Sequence, residues 1–328
     1  MEMEIQSKLR MFARNAQIII RRFVWQNAQA GRMAAFQYAK DDLPVDIEKI
    51  QQCLELIKKN TRLFSTFRGN MALCLAALLS LSPDPDKLFD DTLKVYAMMK
   101  DEKFSTSDYL VIAAYEIAAQ SDPKRFGDVV ARTRDFYDGM KSNRFFQMGQ
   151  DDYIYTAMLG LSDLNVTAGV ERIEEMYRKL EREFKDKNSI KALAQLLVLG
   201  GSDDVTVENV FALHKMMRSQ KIKMSRAYNL TTFGMLALLP VDIDIIVSNI
   251  KEVKRELRMQ RGFSASSITT QEVLLYAAAT IANYYIRGLS SGALSATVST
   301  SIVNIIVAQQ AAMIATIATA SVMATSLK

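Results

Sequence analysis

Apolar positions along this chain recur at steps of three and four residues, and no run of alternating β-branched residues suggests a sheet. Ile5, Leu9, Phe12, Ala16, Ile19 and Phe23 step by 4, 3, 4, 3 and 4. That is one stripe of an amphipathic helix, with Arg10, Arg14, Arg21 and Arg22 off it. A basic amphipathic helix can bind a membrane, but this one carries Glu2 and Glu4 and continues through Trp25, Met33 and Phe36, so one N-terminal element is expected to pack on the array and run on to a break at Asp42-Leu43-Pro44-Val45-Asp46. Asp46 is placed to cap the next helix, whose apolar face is Cys53, Leu54 and Ile57. From residue 73 two kinds of helix alternate. Leu73–Leu79, Tyr109–Ala119, Tyr153–Leu161, Ile190–Leu199 and Leu230–Leu239 are Ala/Leu-rich and read as buried inner helices. Each is followed by a more charged, amphipathic partner: Leu88–Lys100, Phe126–Lys141, Val170–Glu183, Val205–Arg218 and Ile243–Arg258. Ser107-Asp108, Asp151-Asp152 and Asn188-Ser189 stand where helices should begin.

Two landmarks keep a common period through this region. An aromatic or long residue is followed three positions on by Met or Leu, at Tyr96/Met99, Tyr137/Met140, Tyr177/Leu180, His214/Met217 and Lys254/Leu257. These anchors lie 41, 40, 37 and 40 residues apart. Beyond each comes an apolar residue: Phe104, Phe145, Phe184, Ile222 and Phe263. Turns at Ser82-Pro83-Asp84, Ser121-Asp122-Pro123, Ser162-Asp163 and Ser202-Asp203 are spaced by 39, 41 and 40 residues, with Pro240-Val241-Asp242 after them. A period of this size means stacked helical hairpins. The expected fold is all-α, an α-solenoid-like array of antiparallel helical hairpins of the HEAT/TPR kind. Residues 1–59 would form N-terminal capping helices, 60–287 the array, and 288–328 an uncharged apolar tail helix.

Composition agrees with helices, with only 13 Gly and 5 Pro in 328 residues. The net charge of +5, from 41 cations and 36 anions, is too mild to argue for nucleic acid. One region is more biased: Lys251, Lys254, Arg255 and Arg258 are the centre of a basic ridge running from Lys215 to Arg261. A solvated helix face or an anionic partner would each account for it. Cys53 and Cys74 form no CxxC, and read as reduced, buried thiols. Met1-Glu-Met-Glu lacks the cationic and apolar regions of a secretory signal, so a cytoplasmic location is expected.

Candidate chemistry is sparse. His214 occupies the repeat position held elsewhere by Tyr96, Tyr137 and Tyr177, which implies packing at a helix interface. With one His and two separated Cys, no zinc site of the usual N/S type assembles within one chain. No glycine-rich phosphate loop occurs. The doublets Asp90-Asp91, Asp151-Asp152 and Asp203-Asp204 sit at or near helix starts, where carboxylates suit the dipole. No catalytic residue, metal or cofactor is expected. The most specific stretch is Asn60-Thr61-Arg62-Leu63-Phe64-Ser65-Thr66-Phe67-Arg68-Gly69, a short link whose aromatics must bury. Arg62 and Arg68 would hold a joint rigid through helix-end carbonyls or carboxylates, or else bind an anionic group.

The other end of the chain carries no charge from Gly288 to Leu327, forty residues in a row. Val298–Met323 could span a bilayer, although Asn304, Gln309 and Gln310 near its centre disfavour that. Packing on the array, self-association and membrane insertion remain open for this tail.

The Asn60–Gly69 segment resembles the hallmark of a bacterial family known as domain of unknown function 4003. Phe104–Ala114, Met140-Lys141 leading to Asp151-Asp152-Tyr153, and Ala308–Ala315 are similar to the same family. The resemblance implies a cytosolic bacterial protein, mostly of Gram-positive lineages, and brings no activity or site residue with it. The expected function is a non-enzymatic scaffold for a protein or peptide. Membrane association or self-assembly through the tail is the alternative, and an unrecognised carboxylate enzyme the third.

Overall fold

A computed structural model describes residues 2–289 apart from 70, 202 and 223–227; the tail, Val298–Met323 included, lies outside them. Every regular element among the described residues is helical. The helices are α1 Glu2–Arg22, α2 Ala28–Ala39, α3 Ile47–Asn60, α4 Ala72–Ser80, α5 Pro85–Asp101, α6 Asp108–Gln120 and α7 Phe126–Lys141. They continue as α8 Tyr153–Leu161, α9 Val166–Leu180, α10 Lys187–Leu199, α11 Asp204–Ser219, α12 Tyr228–Ala237, α13 Ile243–Met259 and α14 Thr270–Leu289. Side-chain caps set many of the starts. Asp46 accepts from Lys49 N–H (2.9 Å), Asp84 from Lys87 N–H (3.0 Å), Ser107 from Leu110 N–H (3.1 Å) and Asp203 from Thr206 N–H (3.0 Å). Two starts differ from the sequence reading. Asp186, not Asn188-Ser189, caps α10, accepting from Ser189 N–H at 2.7 Å. The N-terminal element is two helices, because Asn27 accepts from Gln29 N–H (2.8 Å) and opens α2.

The described chain gathers into two compact units. One holds residues 7–137 and 148–163; the other holds 138–147 and 164–289, together with 2–6. In the first, α4 packs on α2 and α3, and α6 on α5 and α8. In the second, α10 packs on α9 and α12, α14 on α12 and α13, and α11 on α12 and α13. Two burial patterns separate the helix kinds. Every residue of α4 is buried, whereas α9 buries only the stripe Gly169, Ile173, Met176, Tyr177 and Leu180.

The inner and outer roles therefore hold, but the pairing is shifted. The charged helices α5, α9, α11 and α13 pack more extensively on the apolar helix that follows, α6, α10, α12 and α14, than on the one before. The cause lies in the links between them. Phe104, Phe146, Phe184, Ile222 and Phe263 are buried in the loops that leave α5, α7, α9, α11 and α13. They extend each outer helix's apolar stripe into the junction. In the second case Phe146, not its neighbour Phe145, is the buried residue; Phe145 lies under the Arg178 guanidinium at 4.8 Å.

One aromatic contact recurs at these junctions. A loop Phe meets an aromatic residue of a later charged helix: Phe67–Tyr96 (4.9 Å), Phe104–Tyr137 (5.6 Å), Phe146–Tyr177 (5.4 Å) and Phe184–His214 (5.0 Å) between ring centroids. The first three are edge-on, the favoured arrangement for aromatic pairs. Close helix approach depends on glycine. A Cβ on Gly160 of α8 would lie 2.9 Å from the Val129 carbonyl of α7, and one on Gly234 of α12 would lie 3.0 Å from Leu196 of α10.

Candidate functional site

Arg68 lies where the sequence places it, and its work there is structural. It closes the short 3-10 turn Thr66–Arg68 and donates to the Lys58 and Thr61 carbonyls at the end of α3 and to Thr61 Oγ1 at 3.0 Å. Those carbonyls have no partner within the helix, so a guanidinium fork is well matched to them. Phe67 anchors the link, buried against Phe89 (5.8 Å) and Tyr96. The expectation that all its aromatics bury fails at Phe64, which is 96% exposed. The spacing of Phe64 and Phe67 does not reveal which one the clamp turns inward. Arg62 is exposed beside Phe64.

Arg258 is also committed to structure. Its guanidinium donates to the carbonyls of Phe263 (3.0 Å) and Ile268 (2.9 Å) and to Thr270 Oγ1 (3.1 Å), tying α13 to the start of α14. Lys254 is half-buried on the same helix. Lys251 and Arg255 do face a hollow. It lies between α11 and α13 in the second unit and has a volume of about 580 Å³. Met216 and Gln220 line one wall; Asp244, Val247, Ser248, Lys251, Glu252 and Arg255 line the other. Lys251 Nζ spans it, donating to Gln220 Oε1 at 2.8 Å. Arg255 sits between Glu256 (3.2 Å) and Glu252 (3.9 Å).

Two further hollows flank α11. One of about 470 Å³ sits by the Leu239-Pro240-Val241 turn, with Asn209 and Leu213 on the α11 side. The other, of about 380 Å³, is lined by Glu183, Glu208, Phe211, Lys215 and Arg218. The α11–α13 hollow is thus mainly polar, with Met216 and Val247 set among both signs of charge; the hollow by Pro240 is apolar with acids alone, and the one by Phe211 joins an apolar wall to both signs. Such surfaces can order an extended or helical peptide through hydrogen bonds and ion pairs; they lack a nucleophile beside a base. Sequence reasoning singled out the cations of α13 but missed Asp244, Ser248 and Glu252. These recur at four-residue steps on the face shared with Lys251 and Arg255, a pattern visible once both charge signs are read together.

The remaining reactive groups are packed away. His214 Nδ1 is 3.3 Å from Glu183 Oε1 and its ring rests on Phe184, the interface role expected of it. Cys53 and Cys74 are free and buried, and burial pushes their thiols up to about 11 and about 12. Asp91 is buried and paired with Lys94 at 2.8 Å. Glu116 of α6 is sealed in, accepting from Gln120 Nε2 at 2.8 Å. Burial raises its carboxyl to about 7 against the lowering effects of Gln120 and Lys40. Among the described residues no group of three His, Cys, Asp or Glu could hold a metal ion, and no helix is long and apolar enough to cross a membrane.

The family described as "Protein of unknown function (DUF4003)" matches residues 17–311, and the chain belongs to it. No curated protein and no solved structure matches.

Proposed function

We propose that this chain is a non-enzymatic scaffold, a helical-hairpin array of the α-solenoid kind, that holds a peptide segment of a protein partner against the outer faces of α11 and α13. The α11–α13 hollow carries the reading: it sets Met216 and Val247 among Lys251, Arg255, Asp244 and Glu252. The aromatic junction that recurs four times supports the array. In such a stack the helices before residue 60 serve as its cap, and outer helix faces offer an extended surface. The partner is recognised by mixed charge around a short apolar anchor, in the bacterial cytoplasm.

A selection of displayed random peptides on the full chain tests this. The expected result is one enriched sequence pattern whose binding slows amide exchange in α11 and α13. Lys251→Glu with Arg255→Glu should weaken it about tenfold or more, the equivalent of ~1.4 kcal/mol. No enrichment, or protection confined to other helices, would overturn the reading. The uncharged stretch from Gly288 to Leu327 favours a second reading, attachment or self-assembly through the tail.

A further inference from the structure

The link after α3 closes as a turn, with Ser65 N–H donating to the Arg62 carbonyl at 3.0 Å. Leu63 and Phe64 are its two central residues, 70% and 96% exposed. Those positions ordinarily hold Gly, Pro, Asn, Asp or Ser. The turn is firmly held from both sides: Phe67 is buried behind it, and Arg68 grips the Lys58 and Thr61 carbonyls before it. A rigid clamp thus presents two large apolar side chains to solvent.

A second apolar tip lies at the same end of the first unit. α1 runs parallel to the chain from residue 40 to 51. Lys8 Nζ donates to the Lys40 carbonyl (2.9 Å), Asn15 Nδ2 to the Leu43 carbonyl (2.9 Å), and Arg22 to Gln51 Oε1 (2.6 Å). From Gln51, α3 continues in that sense to Asn60, about 13 Å further at the helical rise. The C-terminal ends of α1 and α3 therefore point the same way. After α1 come Val24 and Trp25, 74% and 67% exposed; after α3 come Leu63 and Phe64.

Cations stand behind both tips. Arg21 and Arg22 end α1, Lys58 and Lys59 end α3, and Arg62 opens the turn; all five are exposed. No acid occurs between Glu4 and Asp41, and Glu55 is the one acid between residues 49 and 69. The helix dipole accounts for cations in last turns but not for the exposed Trp, Leu and Phe ahead of them. Aromatic and apolar tips backed by Lys and Arg are the arrangement that suits a membrane interface. The tips are convex, so they match a soft, uniformly anionic surface; a shaped protein partner would call for a hollow.

We infer that this end of the first unit docks on an anionic lipid bilayer, with Trp25, Leu63 and Phe64 reaching the acyl boundary and the five cations lying among headgroups. The contact is peripheral and independent of the α11–α13 hollow. Trp25 is the chain's single tryptophan, so the emission of the full-length protein reports on this tip alone. Vesicles of equal parts phosphatidylglycerol and phosphatidylcholine should shift that emission to the blue, and brominated lipid should quench it. Vesicles of phosphatidylcholine alone should do neither, and added salt should weaken the effect. Full-length protein with Leu63→Ser and Phe64→Ser should partition about tenfold less with unchanged circular dichroism and Tm. Arg21→Glu with Lys58→Glu should weaken binding comparably. Four results would each overturn the inference: no binding, binding with Trp25 emission unchanged, serine variants that partition like the parent, or a blue shift that grows with protein concentration without lipid.

Discussion

Arg68, Arg132, Lys191 and Arg258 each aim a cationic head at main-chain carbonyls. Arg132 donates to the Gly160 (3.1 Å) and Ser162 (2.8 Å) carbonyls at the C-terminal end of α8, and Lys191 to the Gln147 carbonyl (2.6 Å). These four cations are thus used inside the fold, and Arg258 is one that a ridge counted in sequence would include. Charge-assisted bonds of this sort contribute about 1.5–3 kcal/mol each. Arg68→Met should therefore lower stability by about that amount in urea titration, while Arg62→Met beside it should leave stability unchanged; equal effects would contradict the clamp. Glu116 predicts a pH dependence. Its folded value of about 7 lies above the ordinary value of about 4.3. Between the two the folded state keeps a proton that the unfolded chain has released. Stability should consequently fall as pH rises through that window and stay lowered above it, by at most about 4 kcal/mol. Glu116→Gln should match the parent near the acid end of the window and exceed it at higher pH, as read from urea midpoints. A variant less stable at high pH would contradict the assignment.

Most helices from residue 47 to 259, and which of them are buried and which amphipathic, were legible in the sequence, because three- and four-residue periodicity and Ala/Leu enrichment report directly on burial. What the pattern could not carry was the join between elements. Phe145 and Phe146 are adjacent in a loop with no period, so nothing local says that Phe146 is the one buried. The break before α2 depends on a single cap, Asn27, within an otherwise unbroken apolar pattern. The pairing of each outer helix with the next inner helix is settled by loop aromatics whose partners lie about thirty residues away. These junctions yield two predictions. Phe104→Ala, which empties the contact with Tyr137 and Tyr153, should cost about 3–5 kcal/mol; Phe145→Ala, half-exposed in its loop, should cost far less. Gly160→Val should destabilise comparably to Phe104→Ala, since its Cβ would crowd the Val129 carbonyl of α7, and a shifted melting transition in calorimetry would show it.

Taken as a whole molecule, the chain puts its distinctive chemistry on outer surfaces, while its Cys, His and Glu116 are held in packed interiors. The α11–α13 hollow escaped sequence reading for a simple reason: its walls come from two helices far apart in the chain, and only their packing brings Met216 and Gln220 opposite Ser248 and Lys251. The tips bearing Trp25 and Phe64 were equally hidden, since exposure of an apolar residue leaves no mark in a periodic pattern. The most direct test of the scaffold account is photo-crosslinking in living bacteria with a benzophenone amino acid at Ser248, compared with the same residue at exposed Lys124. The account predicts a discrete protein adduct from Ser248, none from Lys124, and loss of the Ser248 adduct when Lys251→Glu and Arg255→Glu are added. No adduct at Ser248, or the same adducts from both positions, would contradict it.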